Sequence, residues 1–483
     1  MASNFRQKTA EYLIPRPVAL VVPVLICILM IGAVIFYKER MLFIDAPHIF
    51  FRVVNDGVFR IEENRYGSFI TQLFPLIGSK LHIPFKLLLV LYSMSFYLFY
   101  LTVALLLVFK YRNYGLAIVF GLYLTLFVSD TFYWPNNEVH QGMGWLLLAF
   151  ALNFYIATKN RPLYIAIPIF ALSFSLAIWT HPLIMILVVF LWSFFWIGNI
   201  SWPYDRKMSI IYFALILLAC GYKYYQGMHR GYDGTKIGLV SNFDFKQLSS
   251  LLSSKQLKFF LTNIVTHYWL FTALFAAGLI GLLSAKRFLL FALTLVFAFG
   301  YVMLVCIAFT DLSGNRFYIE SEYMPLSVIC CIPFVYFVLP KQQMRPAVVL
   351  MVIAFSVRLV YIFTAATPFT NRVAMLDSMI NKMRDKNISK AIIPWPVAGL
   401  DSALIMNWGA PVESIMLSKL KGEVPQRTFI FLTPDLMFIT RNMGNDTLLG
   451  CWEKRPPSRI NSYYFQPDRS GPYKEVTYSA LMD

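Results

Sequence analysis

Charge is the scarcest commodity in this sequence. Asp, Glu, Lys and Arg make up 14% of its 483 residues, against about 25% in a soluble protein. With 58% hydrophobic and 17% aromatic residues, most of the chain lacks the polar surface that water demands, and lipid is its expected solvent. Acid is scarcer than base, 25 residues against 42. A net charge of +17 raises nucleic acid as a partner. The basic residues, however, punctuate hydrophobic runs instead of gathering in a soluble domain, which excludes that partner. Cysteine is scarce where it would matter. Cys27, Cys220, Cys306, Cys330 and Cys331 lie in apolar segments, and Cys451 alone falls in the polar tail, so the tail has no internal disulfide. Without a CxxC, neither a zinc site nor a redox motif is supported. Internal repeats and low-complexity tracts are also missing.

What is present is a series of apolar runs: 17–37, 84–109, 115–129, 142–157, 163–179, 183–198, 209–222, 264–284, 288–309, 323–339 and 346–365. They predict an all-α polytopic membrane protein with about eleven transmembrane helices in residues 1–365, followed by a small α/β or irregular C-terminal domain over 366–483. The first run lacks a small-residue cleavage site and reads as a retained signal-anchor. Arg6, Lys8 and Arg16 precede it. Alternate short connections then carry Lys110 and Arg112, Lys159 and Arg161, Arg206 and Lys207, Lys286 and Arg287, and Lys341 and Arg345. Thirteen basic residues thus fall on one side against Glu11 and Asp205. By the positive-inside rule that side is the cytoplasm. The remaining connections and the tail then face outward: 38–83, 130–141, the turn at Thr180–Pro182, 223–263 and 310–322. The triplets headed by Asn199, Asn387 and Asn445 match an acceptor motif too short to establish a secretory origin.

Polar residues that suit chemistry concentrate in those outer segments. In 38–83, Asp45 stands some eight residues past the first span, next to Pro47. Residues 47–59 and 66–80 predict short amphipathic helices along the membrane surface. Glu62, Glu63 and Arg65 lie between them. Segment 130–141 combines the Trp134 ring with Asn137, Glu138 and His140, groups suited to sugar faces and hydroxyls. Interfacial aromatics are equally expected in any membrane protein. Segment 311–323 holds Arg316, which suits a phosphate, with Glu320 or Glu322 to orient it; a hydrated turn reads the same way. His181 is either a turn cap or a hydrogen-bonding group for phosphate or sugar. Arg358 is the one charge deep within a run, so it marks a phosphate site, a snorkelling side chain or a buried pair. Segment 223–263 carries six basic residues against Asp233 and Asp244, and its Tyr224–Gly238 part suits a mobile lid. A divalent metal held by some of His48, His140, His181 and His267 with Asp45 has no ligand spacing behind it and stays undecided.

A cytoplasmic N-terminus, a long first outer loop with an early acidic residue and two surface helices, many spans and a C-terminal outer domain together resemble the GT-C superfamily of membrane glycosyltransferases. The resemblance implies a transferase of a bacterial inner membrane. It would move a sugar from a polyprenyl-phosphate carrier to a glycan, lipid or protein acceptor outside the cytoplasm. It also implies Asp45 as the catalytic base, a role that fits proton removal from an acceptor hydroxyl; taken alone, Asp45 is also a reasonable helix cap or solvated charge. Many members pair two acids in this loop, whereas here Asp45 stands alone and Glu62–Glu63 follows later. The expected site is then Asp45 as base, Arg358, Arg316 and His181 on the donor phosphate, and Glu62, Arg65, Trp134, Asn137, Glu138, His140 and Glu322 on the substrates. An O-antigen-type polymerase or ligase usually has one dominant outer loop between late spans. A flippase or transporter usually shows related halves and charged or broken helices at the midplane. Both rivals fit the layout less well.

Overall fold

The computed structural model describes residues 14–483 except 160, 230, 245, 247, 310–314, 398–399, 434–446, 451–452 and 470. Arg6, Lys8, Glu11, Arg230, Asp311–Gly314, Asn445 and Cys451 therefore lie outside the described residues. Helices dominate. In chain order they are α1 (Arg16–Ile35), α2 (Tyr37–Met41), α3 (Asp45–Asp56), α4 (Phe69–Lys80), α5 (Phe85–Leu105), α6 (Tyr114–Tyr123), α7 (Glu138–Thr158), α8 (Leu163–Ile178), α9 (Ile184–Gly198), α10 (Arg206–Met228), α11 (Gly231–Ser241), α12 (Leu248–Leu252), α13 (Lys255–Val265), α14 (Trp269–Ser284), α15 (Phe288–Ala308), α16 (Arg316–Phe337), α17 (Met344–Thr364) and α18 (Ala366–Asp385).

Among the described residues seven helices are long and apolar enough to cross a membrane: α1, α5 with its π-helical extension to Lys110, α7, α10, α15, α16 and α17, the last running on into α18. An eighth is reached if α13 and α14, bent by 82°, count as one span. Every apolar run of the sequence carries a helix, but α6, α8 and α9 are only 10, 16 and 15 residues long. Three of the eleven expected spans, or four if α14 with its 16 residues is taken without α13, therefore fall short of the roughly 20 residues a straight crossing needs. Outward faces carry Val24, Ile31, Leu218, Val296, Phe299 and Val360, each more than half exposed. Such surfaces belong against lipid, and the chain is a helical membrane protein.

Side-chain caps set several helix starts. Asn113 accepts from the Leu116 amide to open α6, Asn137 from Val139 to open α7, and Asp205 from Met208 to open α10. Gly57, left-handed at φ +68°, closes α3, one reason the first surface helix ends three residues before the expected 59. Hydropathy is least informative where helices break. Its 115–129 run is helical only to Tyr123, after which the chain crosses the core without regular helix until a 3-10 turn at Asp130–Tyr133. Two charges satisfy this irregular stretch. Arg358 on α17 donates to the carbonyls of Thr125 (3.0 Å) and Val128 (3.0 Å), to Ser129 Oγ (3.3 Å), and to the His267 carbonyl (2.9 Å) at the α13–α14 bend. Glu320 on α16 accepts from the amides of Ser129 (3.0 Å) and Thr131 (2.7 Å) and from the hydroxyls of Thr131 and Tyr268. Non-helical backbone survives inside a bundle only with partners of this kind.

The expected loops are shorter than the sequence suggested. Most of 223–263 is helical, α7 begins at Glu138, and Glu320 and Glu322 sit on α16. Charged residues lower hydropathy and so end an apolar run on paper, although the helix continues wherever the protein supplies partners.

The tail is α/β. α18 leads into β1 (Lys390–Pro394), then α19 (Leu400–Leu404), α20 (Ala410–Leu420), β2 (Thr428–Leu432), β3 (Leu448–Leu449), β4 (Lys454–Arg455), β5 (Lys474–Glu475) and α21 (Tyr478–Met482). β1 lies between β2 and β5 in a parallel sheet, with Lys390 opposite Thr428 and Pro394 opposite Leu432. β3 and β4 form a separate antiparallel pair. A parallel pair needs a crossover, which α20 provides by packing on β2. β1 and β2 are buried over four of five residues each.

Candidate active site

α3 begins at Asp45, directly after a sharp backbone reversal at Ile44 (φ +45°, ψ −100°). That turn aims the Asp45 carboxylate into a cavity of about 840 Å³, within the size range of small-molecule sites. Segment 38–83 contributes Asp45, His48, Arg52, Arg60, Glu62, Glu63 and Arg65 to its wall. Trp134, Asn136, Asn137 and Glu138 come from the start of α7 and the segment before it, His181 from the α8–α9 turn, and Tyr318 and Glu322 from α16. Tyr232, Asp233 and Lys236 enter from α11, and Trp408 from the tail. Met185 and Ile186 of α9, Ile237 and Val240 of α11, and Leu304 and Ala308 of α15 supply an apolar wall, α15 packing against both of the other helices.

Asp45 Oδ2 accepts from Trp134 Nε1 at 2.6 Å, and no basic side chain lies within ion-pair distance of it among the described residues. Burial pushes the carboxyl up to about 6 against the pull of the Trp134 hydrogen bond, and the charge of Glu138 adds to the rise. Its neighbours differ. Glu62 is held down to about 2 by contact with His48, against burial, and by Arg60. Glu138 shares Arg65 with Asp233 at 2.8 and 2.7 Å. Burial disfavours the Arg65 charge, but the two carboxylates outweigh it and hold the guanidinium protonated. Arg65 thereby ties segment 38–83 to both α7 and α11. A second tie lies beside it, where Glu63 accepts from the Tyr232 amide at 3.4 Å.

His181 is half-buried and held neutral, its pKa driven well down by burial and by the nearby Arg65 and Lys223 charges. Its Nδ1 accepts from the Leu183 amide at 3.2 Å, which leaves Nε2 to carry the proton and donate. Lys236 stands over the rings of Tyr232 and Phe309, 5.4 and 4.9 Å from their centroids. Unlike Arg52, Arg60 and Arg65 on the same wall, it has no carboxylate within 4 Å among the described residues. Arg65 Nε, Asn136 Oδ1 and Glu322 Oε2 are buried without a hydrogen-bond partner. Orphaned polar atoms in residues that line a cavity point to groups that a ligand completes.

Eight residues singled out from sequence meet here: Asp45, Glu62, Arg65, Trp134, Asn137, Glu138, His181 and Glu322. Three do not line the cavity. Arg358 is committed to the carbonyls at the two helix breaks. Arg316 pairs with Asp130 at 3.3 Å and approaches His267. His140 is buried against the Tyr123 hydroxyl at 3.0 Å. Among the described residues no set of three His, Cys, Asp or Glu side chains is placed to hold a metal; His48 and His181 line the cavity while His140 and His267 lie elsewhere. Lys236, Tyr232 and Tyr318 were not singled out as site residues. The surplus of positive charge in 223–263 was the signal for Lys236, whereas nothing local marks Tyr318. Comparison with family models, curated proteins and solved structures returns no match.

Proposed function

We propose that the chain is a GT-C-like membrane glycosyltransferase. It moves a sugar from a polyprenyl-phosphate carrier to a hydroxyl of a glycan, lipid or protein acceptor, on the non-cytoplasmic face of a bacterial inner membrane. The observation that carries this reading is Asp45, a carboxylate with no ion-pair partner among the described residues, raised to about 6 and set in a cavity with both polar and apolar walls. Such a group is ionised at neutral pH and still basic enough to take a proton. Glu62, held near 2, is a far weaker base.

In the reaction the acceptor oxygen attacks the anomeric carbon and the bond from that carbon to the phosphate oxygen breaks. Asp45 takes the hydroxyl proton, and polyprenyl phosphate departs with the bonding electron pair. Lys236 and the Nε2–H of His181 face the departing phosphate as cation and neutral donor. Lys236 takes the place expected of Arg358, whose donors are committed to carbonyls, and of Arg316, which pairs with Asp130 and does not line the cavity. Trp134, Tyr232 and Tyr318 offer ring faces to sugars, and the wall from α9, α11 and α15 suits the lipid of the carrier.

The test is transfer of radiolabelled sugar from a panel of synthetic polyprenyl-phosphate sugars by the purified protein. Label on an acceptor together with released polyprenyl phosphate, both lost in Asp45→Ala, is the expected result. Silence toward every donor, with transport of a lipid-linked glycan into vesicles, would replace this reading with a flippase.

A further inference from the structure

We infer that Glu413 of the tail, held by Arg372, is a positioning residue for Asp45. It fixes the backbone of Ile44 and so aims the first turn of α3 into the cavity. The inference rests on Asp45 being the base, and it makes the tail part of the reaction centre.

Ile44 is β-branched and buried, yet it adopts φ +45° and ψ −100°. Backbone in such a sparsely populated region is costly and persists only where its surroundings over-determine it. Here the surroundings belong to the tail. Glu413 Oε1 on α20 accepts from the Ile44 amide at 2.8 Å, and Oε2 accepts from Arg372 Nη2 at 2.5 Å. Arg372 on α18 also donates to the carbonyls of Leu42 (2.7 Å), Leu404 (2.8 Å) and Met406 (3.1 Å). One ion pair therefore holds the chain on both sides of the strained turn, at Leu42 and at Ile44. Its two side chains are 1% and 0% exposed. As a stabiliser alone, a pair so deeply buried is a poor device; its geometry instead fixes one backbone conformation.

Gly409 permits the approach. A Cβ there would lie 2.2 Å from Glu413 Oε1 and 3.0 Å from Ile44 Cα. The tail also grips the far end of α3. The Asn461 amide donates to Asn55 Oδ1 at 2.8 Å and its side chain to the Val54 carbonyl at 3.1 Å, while Arg455 pairs with Asp56 at 2.7 Å.

The test reads Asp45 through its own hydrogen-bond partner. The protein, with its ten tryptophans, is labelled with 5-fluorotryptophan, and the Trp134 resonance is assigned by Trp134→Phe. It is then followed by ¹⁹F NMR between pH 4.5 and 8, with Asp45→Asn identifying the titration. In Glu413→Ala and in Gly409→Ala the resonance should move and its midpoint fall by about one pH unit or more, as the loop relaxes toward water. Glu413→Gln, which keeps an acceptor for the Ile44 amide, should restore the wild-type resonance. Where Glu413→Ala does not fold, Gly409→Ala carries the test. A folded Glu413→Ala or Gly409→Ala with the wild-type resonance and midpoint overturns the inference, even if its melting temperature falls. Sugar transfer enters separately. If the wild type transfers sugar, Glu413→Ala should lower kcat at least tenfold with donor KM little changed; a rise in KM at constant kcat would overturn positioning. If the wild type is inactive, the proposed function falls, while the NMR outcome still decides whether Glu413 sets the environment of Asp45.

Discussion

The bundle holds two buried clusters of charge, and they differ in what their charges touch. Around the helix breaks, Arg358 and Glu320 are met by backbone groups and hydroxyls, four contacts each. At the cavity, Asp45 has one tryptophan donor, Lys236 has two ring faces, and Glu322 has an orphaned oxygen. Both clusters are expensive in a membrane protein, where an ionisable group within a span is by default a candidate for function. The contrast shows that an intramembrane charge is not by itself a site. What separates the two clusters is whether the hydrogen-bonding capacity is already filled. Arg358 is the example: hydropathy marks it as the outstanding charge of the spans, and its geometry makes it a fastener for two broken helices.

Substitutions can break this contrast or sharpen it. The largest effect is expected at Asp45, where Ala should lower transfer at least about a hundredfold while folded yield in detergent, read by size-exclusion chromatography, stays near wild type. Arg358→Ala should do the reverse. It strands several buried carbonyls at about 1–3 kcal/mol each, so folded protein should fall sharply, and whatever survives should keep the wild-type donor KM. A well-folded Arg358→Ala with a greatly raised KM would merge the two clusters again.

Asp45→Asn should separate stability from activity. Because the folded pKa is raised from 3.8 to about 6, the carboxyl favours folding fully below about 3.8, and that contribution is lost as pH rises through 6. At pH 7.5 the ionised group costs about 2–3 kcal/mol. The Asn variant should therefore melt higher than wild type at pH 7.5, and by less at pH 5, as thermal unfolding would show. The smallest effect is expected at Lys236, where Ala should raise donor KM about tenfold, or about 1.4 kcal/mol, with little change in melting temperature.

Much of the membrane domain was legible because lipid-facing helices must be apolar along their length. Each of the eleven runs carries a helix, and the last ends where α18 begins, at Ala366. Hydropathy failed where the reason for structure is tertiary. Leu124–Val128 is as apolar as the helix before it, yet leaves the helix because Arg358, more than 200 residues away, takes its carbonyls. Glu320 and Glu322 resembled a loop because a window of sequence cannot see that Thr131 and Tyr268 wait for Glu320. The cavity was partly legible through Asp45 and the residues around Trp134, since polar groups in the connections stand out against apolar spans. Lys236 was visible only as surplus charge. Glu413 and Arg372 gave no signal, because two opposite charges 41 residues apart in a polar tail look like any solvated pair.

The most direct test of Asp45 as the base is the pH dependence of kcat/KM for sugar transfer by the wild-type protein across pH 5 to 8. A base must be ionised to act, so the rate should rise with pH along an acid limb whose midpoint lies near 6. A profile flat across that range would contradict Asp45 as the base that takes the acceptor proton.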